Sequence, residues 1–404
     1  MRYNPLLHIY KVYPCMETDL SIYFTPAEFH NEDYGNNTIG SKLHIYHKST
    51  GFPDLEGVQL AFIGVKEDRA AVGNKGCGEA PDEVRRFLYP LFAGQYELNM
   101  ADFGNILPGN SIQDTYFALA AVVEHCVRRQ IIPIIIGGGQ DLTYANYAAY
   151  EKLEQVVNLV AIDSKLDVGT IDSDLDSTTF LNRIILHQPS YLFNYSNLGY
   201  QTYFADQEML DLMGKLYFDL NRLGEVKANL QAAEPVIRNA DIITFDVSAI
   251  RQSDAPGNRN TTPNGFYGED ACQLARYAGL SDKATSFGIY EINPAVDHRG
   301  QTAHLAAQMV WYFIEGFYSR KRDFPIGNKK DFLKYRVSLQ ESGHELVFFK
   351  SKKSDRWWMD VPYPPNHRVK FERHHLVPCT YADYQEACKD EMPDRWWRTY
   401  QKLF

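Results

Sequence analysis

The chain has 404 residues, 45% of them hydrophobic and 23% charged, enough to bury a large core in one big α/β domain with additions or in two smaller domains. Its formal charge of -10 argues against nucleic-acid binding, although residues 320–404 carry 18 Lys and Arg against 12 Asp and Glu, a basic tail on an acidic body. It has no apolar run long enough for membrane insertion, no signal-peptide core in the Tyr-rich start MRYNPLLHIYKVYPC, and no CxxC pair among six scattered cysteines, so a cytoplasmic protein without disulfides or zinc is expected.

Residues 1–55 are aromatic-rich with little periodicity and are expected to form an N-terminal extension. From 56 to 322 short apolar runs alternate with helical patterns. The runs are VQLAFIGV (58–65), IIPIIIGG (131–138), VNLVAIDS (157–164), ADIITFDV (240–247) and SFGIYEIN (286–293). Ser111 and Asp114 are spaced as a capping box, and further helices are expected at 207–220, 228–238, 268–280 and 300–318. Runs that are apolar throughout suit parallel strands buried on both faces, and the alternation predicts an α/β fold with a doubly wound, mainly parallel sheet flanked by helices. Functional residues are then expected just beyond the strands' carboxyl ends. Residues 323–404 change rhythm: YRVSL, a Glu-Ser-Gly-His turn, ELVFFKS and RWWMDV predict a small antiparallel β-rich addition.

Three acid-bearing segments fall where strands should end: IIIGGGQD (134–141), AIDSKLDVG (161–169) and ITFDVSAIRQSDAPG (243–257). Asp163, Lys165 and Asp167 are spaced two apart, which in extended backbone turns all three to one face, toward Asp246. Convergent carboxylates are costly without a cation, commonly a metal. The glycine run at 137–139 is not GxGxxG, which argues against a dinucleotide site.

In this order and spacing the segments resemble the GGxH, DxHxD and DxD motifs of the ureohydrolases, the arginase, agmatinase and formimidoylglutamase family. NKGCGEAPDEVR (74–85), APGN with TTPNGFYGEDACQLAR and YEINP (290–294) resemble further elements of that family, and DSTTFLNRII (176–185) is similar to the formimidoylglutamase branch. The resemblance implies two Mn2+ ions sharing a bridging hydroxide that attacks a guanidinium or formimino carbon. It also places Gln140, Lys165 and Ser248 where the family has His, His and Asp. One metal position would keep Gln140, Asp163, Asp167 and Asp246, a set suited to Mn2+, Mg2+ or Ca2+, while the other would lose Lys165 and Ser248 as ligands.

The leading expectation is therefore a pseudoenzyme, a binding or regulatory protein without cofactor or with at most one divalent cation. The alternative is a one-metal hydrolase of linear amidines, with Asp141 or Glu291 as base or amidinium partner. Lys165 is expected to fill the vacated place with a fixed positive charge, and Glu291 has the competing reading of a strand-end acid paired with Arg or Lys. His187 is expected to be a satisfied helix histidine. Asp-Arg-Trp-Trp occurs at 355–358 and 394–397, making Trp357, Trp358, Trp396 and Trp397 candidates for a partner surface or, in the favoured reading, for docking the basic tail on the acidic body. His374 and His375, with His367 nearby, are not expected to bind metal, and a homo-oligomer is implied by the resemblance.

Overall fold

A computed structural model describes residues 19–27, 34–97, 99–170, 172–326, 329–340, 343–364 and 371–404. The start of the expected N-terminal extension, part of the Glu-Ser-Gly-His turn and His367 lie outside the described residues.

Nine parallel strands form one sheet: β1 (His44–Ile45), β2 (Leu60–Val65), β3 (Met100–Ile106), β4 (Ile132–Ile136), β5 (Val157–Ile162), β6 (Leu192–Tyr200), β7 (Asp219–Arg222), β8 (Ile242–Asp246) and β9 (Ser286–Tyr290). Their order is β1-β3-β2-β4-β9-β8-β5-β6-β7. The central strands β2, β4, β5, β8 and β9 are buried along their length, which accounts for their unbroken apolar sequences. Two hydrophobic cores carry the packing of helices on the sheet. The helix Ile112–Arg128 opens with the Ser111–Asp114 capping box, each side chain accepting from the other's backbone N–H. Helices Gly268–Leu280 and Gln301–Tyr318 cross so closely that a Cβ on Gly279 would lie 2.1 Å from the Phe313 carbonyl oxygen. No helix among the described residues is long and apolar enough to cross a membrane.

Four strands were not evident in the sequence pattern. In β3 (MADFGNI) Asp102 and Asn105 interrupt the apolar run; both are buried because the Arg85 guanidinium bonds them at 2.8 and 2.5 Å. In β6 (LFNYSNLGY) polar side chains alternate with apolar ones, and β1 and β7 are short edge strands.

The tail forms its own antiparallel sheet, β10 (Phe332–Ser338), β11 (Glu345–Ser351), β12 (Trp357–Asp360) and β13 (Leu376–Cys379), followed by helices Tyr381–Ala387 and Asp394–Leu403. It packs on the amino ends of the parallel strands. Arg373 pairs with Asp241 just before β8, and the His374 ring stacks on Phe193 at 4.2 Å while its Nε2 lies 3.1 Å from the Val156 carbonyl oxygen. Arg398 donates to the Phe218 carbonyl at 2.9 Å, and the Arg238 guanidinium lies 4.4 Å from the Trp358 ring centre. Trp357, Trp358 and Trp396 are 7%, 1% and 1% exposed, which corrects their reading as an external partner surface; of that set only Trp397 is exposed. The reason is aromatic packing: Trp357 stacks on Tyr335 and Tyr384, and Trp396 on Tyr400.

Candidate metal centre

The carboxyl ends of β4, β5, β8 and β9 meet at one buried place. β8 ends on Asp246, whose Oδ1 accepts the Ser248 N–H at 2.6 Å. β5 ends at Ile162, and the chain turns at once. The Lys165 N–H donates to Asp163 Oδ1 at 2.9 Å, and Asp167 takes a left-handed backbone (φ 48°). Asp163, Asp167 and Asp246 are all buried, with carboxylate oxygens within 4.8 Å of one another.

That turn corrects the expectation that 163, 165 and 167 share the face of an extended strand. The two aspartates converge, but the Lys165 ammonium lies 5.9 Å from the Phe204 ring centre and makes no ion pair with a described residue. Its charge still favours ionisation of Asp163, Asp167 and Asp246, but from beyond ion-pair distance. Lys165→Ala should cost less than about 1 kcal/mol, within the range of substitutions that break no buried pair. Thermal unfolding checks this, and a loss of several kcal/mol would restore the surrogate-cation role.

Burial, together with repulsion between neighbours, pushes the Asp167 and Asp246 carboxyls up to about 7 and Asp163 well above the usual carboxylate range. The chain gathers three acids here with no Arg, Lys or His within ion-pair distance of them among the described residues, Lys165 acting only from farther away.

After β4, positive φ at Gly137 and Gly138 turns the chain beneath the loop that follows β2; a Cβ on Gly138 would lie 2.5 Å from the Glu67 carbonyl oxygen. This turn buries Gln140. Its Nε2 donates to Thr244 Oγ1 at 2.9 Å, two residues before Asp246 on β8, and its Oε1 has no partner among the described residues. Its backbone N–H donates to Glu291 Oε1 at 2.9 Å, and Asn74 Nδ2 donates to Glu291 Oε2 at 2.7 Å. Glu291 thus pairs with neither Arg nor Lys among the described residues. It sits just beyond β9 at φ 67°, and burial followed by the charge of Asp246 pushes it up to about 8.

Asp141 faces elsewhere. Its Oδ2 accepts the Tyr116 hydroxyl at 2.6 Å, and burial followed by the nearby Glu67 and Asp176 charges raises it to about 7. Ser248 Oγ lies 3.5 Å from Ser164 Oγ. His187 caps the helix Phe180–Leu186 with Nε2 3.3 Å from Glu151, and His375 pairs with Asp360 at 2.9 Å. Asn74 was not singled out from sequence, although it opens the segment NKGCGEAPDEVR. Its Oδ1 also accepts the Arg259 N–H at 3.1 Å, tying the loops after β2, β8 and β9 together. Beside it an open cleft is lined by Arg69, Lys75 and Arg259 with Asp176.

A doubly wound parallel sheet with acids gathered at its carboxyl edge defines the class: an α/β protein built around a candidate cation site. The model of the Arginase family matches residues 58–315, and the chain belongs to that family. It is 26% identical over 273 residues to a formimidoylglutamase of Staphylococcus aureus (strain JH9), covering 63% of this chain and 86% of that protein. Its fold is similar to that of Trypanosoma cruzi formiminoglutamase with Mn2+2, at TM-score 0.61 and 23% identity over 66% of this chain and 95% of the other. It is similar also to that of Bacillus subtilis formimidoylglutamase, at TM-score 0.63 and 19% identity over 74% and 98%. These comparisons correct the expectation of no cofactor, or at most one cation, because the Trypanosoma cruzi structure is one with Mn2+2. Three buried carboxylates and the orphaned Gln140 oxygen fit a hard divalent cation.

Proposed function

We propose that this chain is a metal-dependent hydrolase of a C–N bond in a linear amidine, of the formimidoylglutamase kind. The observation that carries the reading is the convergence of Asp163, Asp167 and Asp246 in a buried place with no protein cation in contact among the described residues. Those three residues, with Gln140 Oε1, would hold metal there. A divalent ion bound there supplies Lewis acidity and lowers the pKa of water at neutral pH.

The protein's own groups do the rest. Glu291, held by the Gln140 N–H and Asn74, is oriented to pair with an amidinium or to accept a proton. The buried surroundings strengthen both interactions by excluding water. Lys75 and Arg259 along the adjoining cleft, where Arg69 is already paired with Glu67, suit the anionic arm of an amidino or formimino amino acid better than a second amine. Glu291→Gln keeps the side chain's shape and one of its two accepting oxygens, but sets an NH2 against the Gln140 N–H or the Asn74 amide and removes the charge and the basic oxygen. It is expected to lower kcat by about 100- to 10,000-fold while leaving Mn2+ affinity within a few-fold. Steady-state kinetics with Mn2+ titration separates the two effects.

The direct test is turnover of formimidoylglutamate, agmatine and arginine by Mn2+-loaded protein, with formimidoylglutamate the expected substrate. Lys165 and Ser248 favour a second reading, in which the fold binds such a ligand without hydrolysing it. Metal uptake and ligand binding with no turnover of any of the three would select that reading.

A further inference from the structure

A partly open cavity lies away from the aspartates, where the tail packs over the sheet. It has a volume of 360 Å³ and is walled on one side by β5, β6 and β7 and on the other by β13 and the two tail helices. Its sheet wall is polar. Asn158 on β5, Asn194 and Ser196 on β6 and Asp219 and Asn221 on β7 occupy alternate positions and so present one face. A buried sheet face is ordinarily apolar, and Asn158, Asn194 and Ser196 are 2%, 7% and 3% exposed.

Part of this wall is internally satisfied: Asn194 Nδ2 and Ser196 Oγ donate to Asp219 at 2.7 and 3.0 Å. Three groups are left wanting. Asn158 Oδ1 has no hydrogen-bond partner among the described residues. Lys402, from the last helix, bonds the neutral Asn194 amide oxygen, with no carboxylate in ion-pair contact among the described residues. Burial lowers its ammonium to about 8, the mark of a charge short of compensation. On the other tail helix Glu386 has no cation in contact among the described residues, and burial with the charges of Asp383 and Glu391 raises it. Arg398, between them on the same helix face as Lys402, is held by Asp394 at 2.7 Å.

Lys402, with no carboxylate partner, and the acceptors Asn158 Oδ1 and Glu386, all lining one small cavity, call for a ligand carrying both charges. We propose that this cavity is a binding site for a small zwitterion, a free α-amino acid, whose carboxylate meets Lys402 and whose ammonium meets Asn158 Oδ1 and Glu386. The volume is within the range of small-molecule sites. Because its walls come from both the sheet and the tail, occupancy favours the docked tail by linkage.

The test uses the full chain in EDTA, so that no metal-dependent ligand contributes, and follows thermal unfolding with millimolar L-glutamate, L-leucine or L-lysine. Isoamylamine and 4-methylpentanoate, which are leucine without its carboxylate and without its amine, serve as controls. At least one amino acid is expected to raise the midpoint by several degrees, neither leucine analogue is expected to do so, and Lys402→Met and Thr399→Phe should each abolish the shift. Thr399→Phe fills the cavity without removing a charge and decides the matter if Lys402→Met melts early on its own. No shift with any amino acid, an equal shift with either analogue, or a shift that survives Thr399→Phe overturns the proposal.

Discussion

Asp246→Asn is expected to raise the melting temperature of the metal-free protein, to abolish its stabilisation by Mn2+, and to lower amidine hydrolysis by at least about 1,000-fold. The opposite signs follow from the geometry. Without metal, Asp246 is one of three buried acids whose oxygens lie within 4.8 Å of one another, so removing its charge relieves repulsion. Asparagine keeps the side-chain oxygen that accepts the Ser248 N–H, so the turn after β8 is preserved. With metal, the wild-type chain gains stability by mass action, about 4 kcal/mol at a thousandfold excess over Kd, and the variant loses the ligand through which it would do so. Thermal unfolding in EDTA and in Mn2+ reads both effects. A variant less stable than wild type in EDTA that still responds to Mn2+ would remove the cluster from metal binding.

Asp241→Asn should release the tail. Its carboxylate is fully buried and bonds Arg373 on one side, with Lys283 Nζ at 3.7 Å and the Asn158 N–H at 2.9 Å on the other. Neutralising it leaves two buried cations facing each other without the anion between them, a change that costs about 3–5 kcal/mol in buried pairs. Because the tail has hydrophobic clusters of its own, the loss is expected as local opening rather than global unfolding. Hydrogen exchange in β13 and the segment 371–375 should accelerate by two to three orders of magnitude, while β2 and β4 keep their protection. Uniform acceleration through the whole chain would show instead that tail and sheet unfold together.

The sequence was most legible where one physical demand acted alone. The apolar runs that became β2, β4, β5, β8 and β9 answer only to burial, and the ordered acids at their ends reveal the site's skeleton. Strands β3 and β6 were illegible because each serves a second demand. Asp102 and Asn105 in β3 hold Arg85, and the polar side chains of β6 face the cavity under the tail.

At the site, identity was readable but direction was not. Spacing placed Asp163 and Asp167 together, yet the same spacing sent Lys165 to the wrong place, because the chain leaves the strand at Ile162 and turns through a left-handed Asp167. Asp141 and Glu291 were equivalent as nearby acids. Only the fold separates them, giving Asp141 to Tyr116 and Glu291 to the Gln140 N–H and Asn74. The three missing family ligands suggested an empty site, whereas the buried charge that remains still asks for a cation.

The most direct measurement of that demand is the metal content of the protein after loading with Mn2+ and desalting, for the wild-type chain and for Asp163→Asn with Asp246→Asn. The account predicts at least one Mn2+ retained per wild-type chain and none in the double variant. A wild-type chain that emerges without Mn2+, or a double variant that retains as much as wild type, would contradict it.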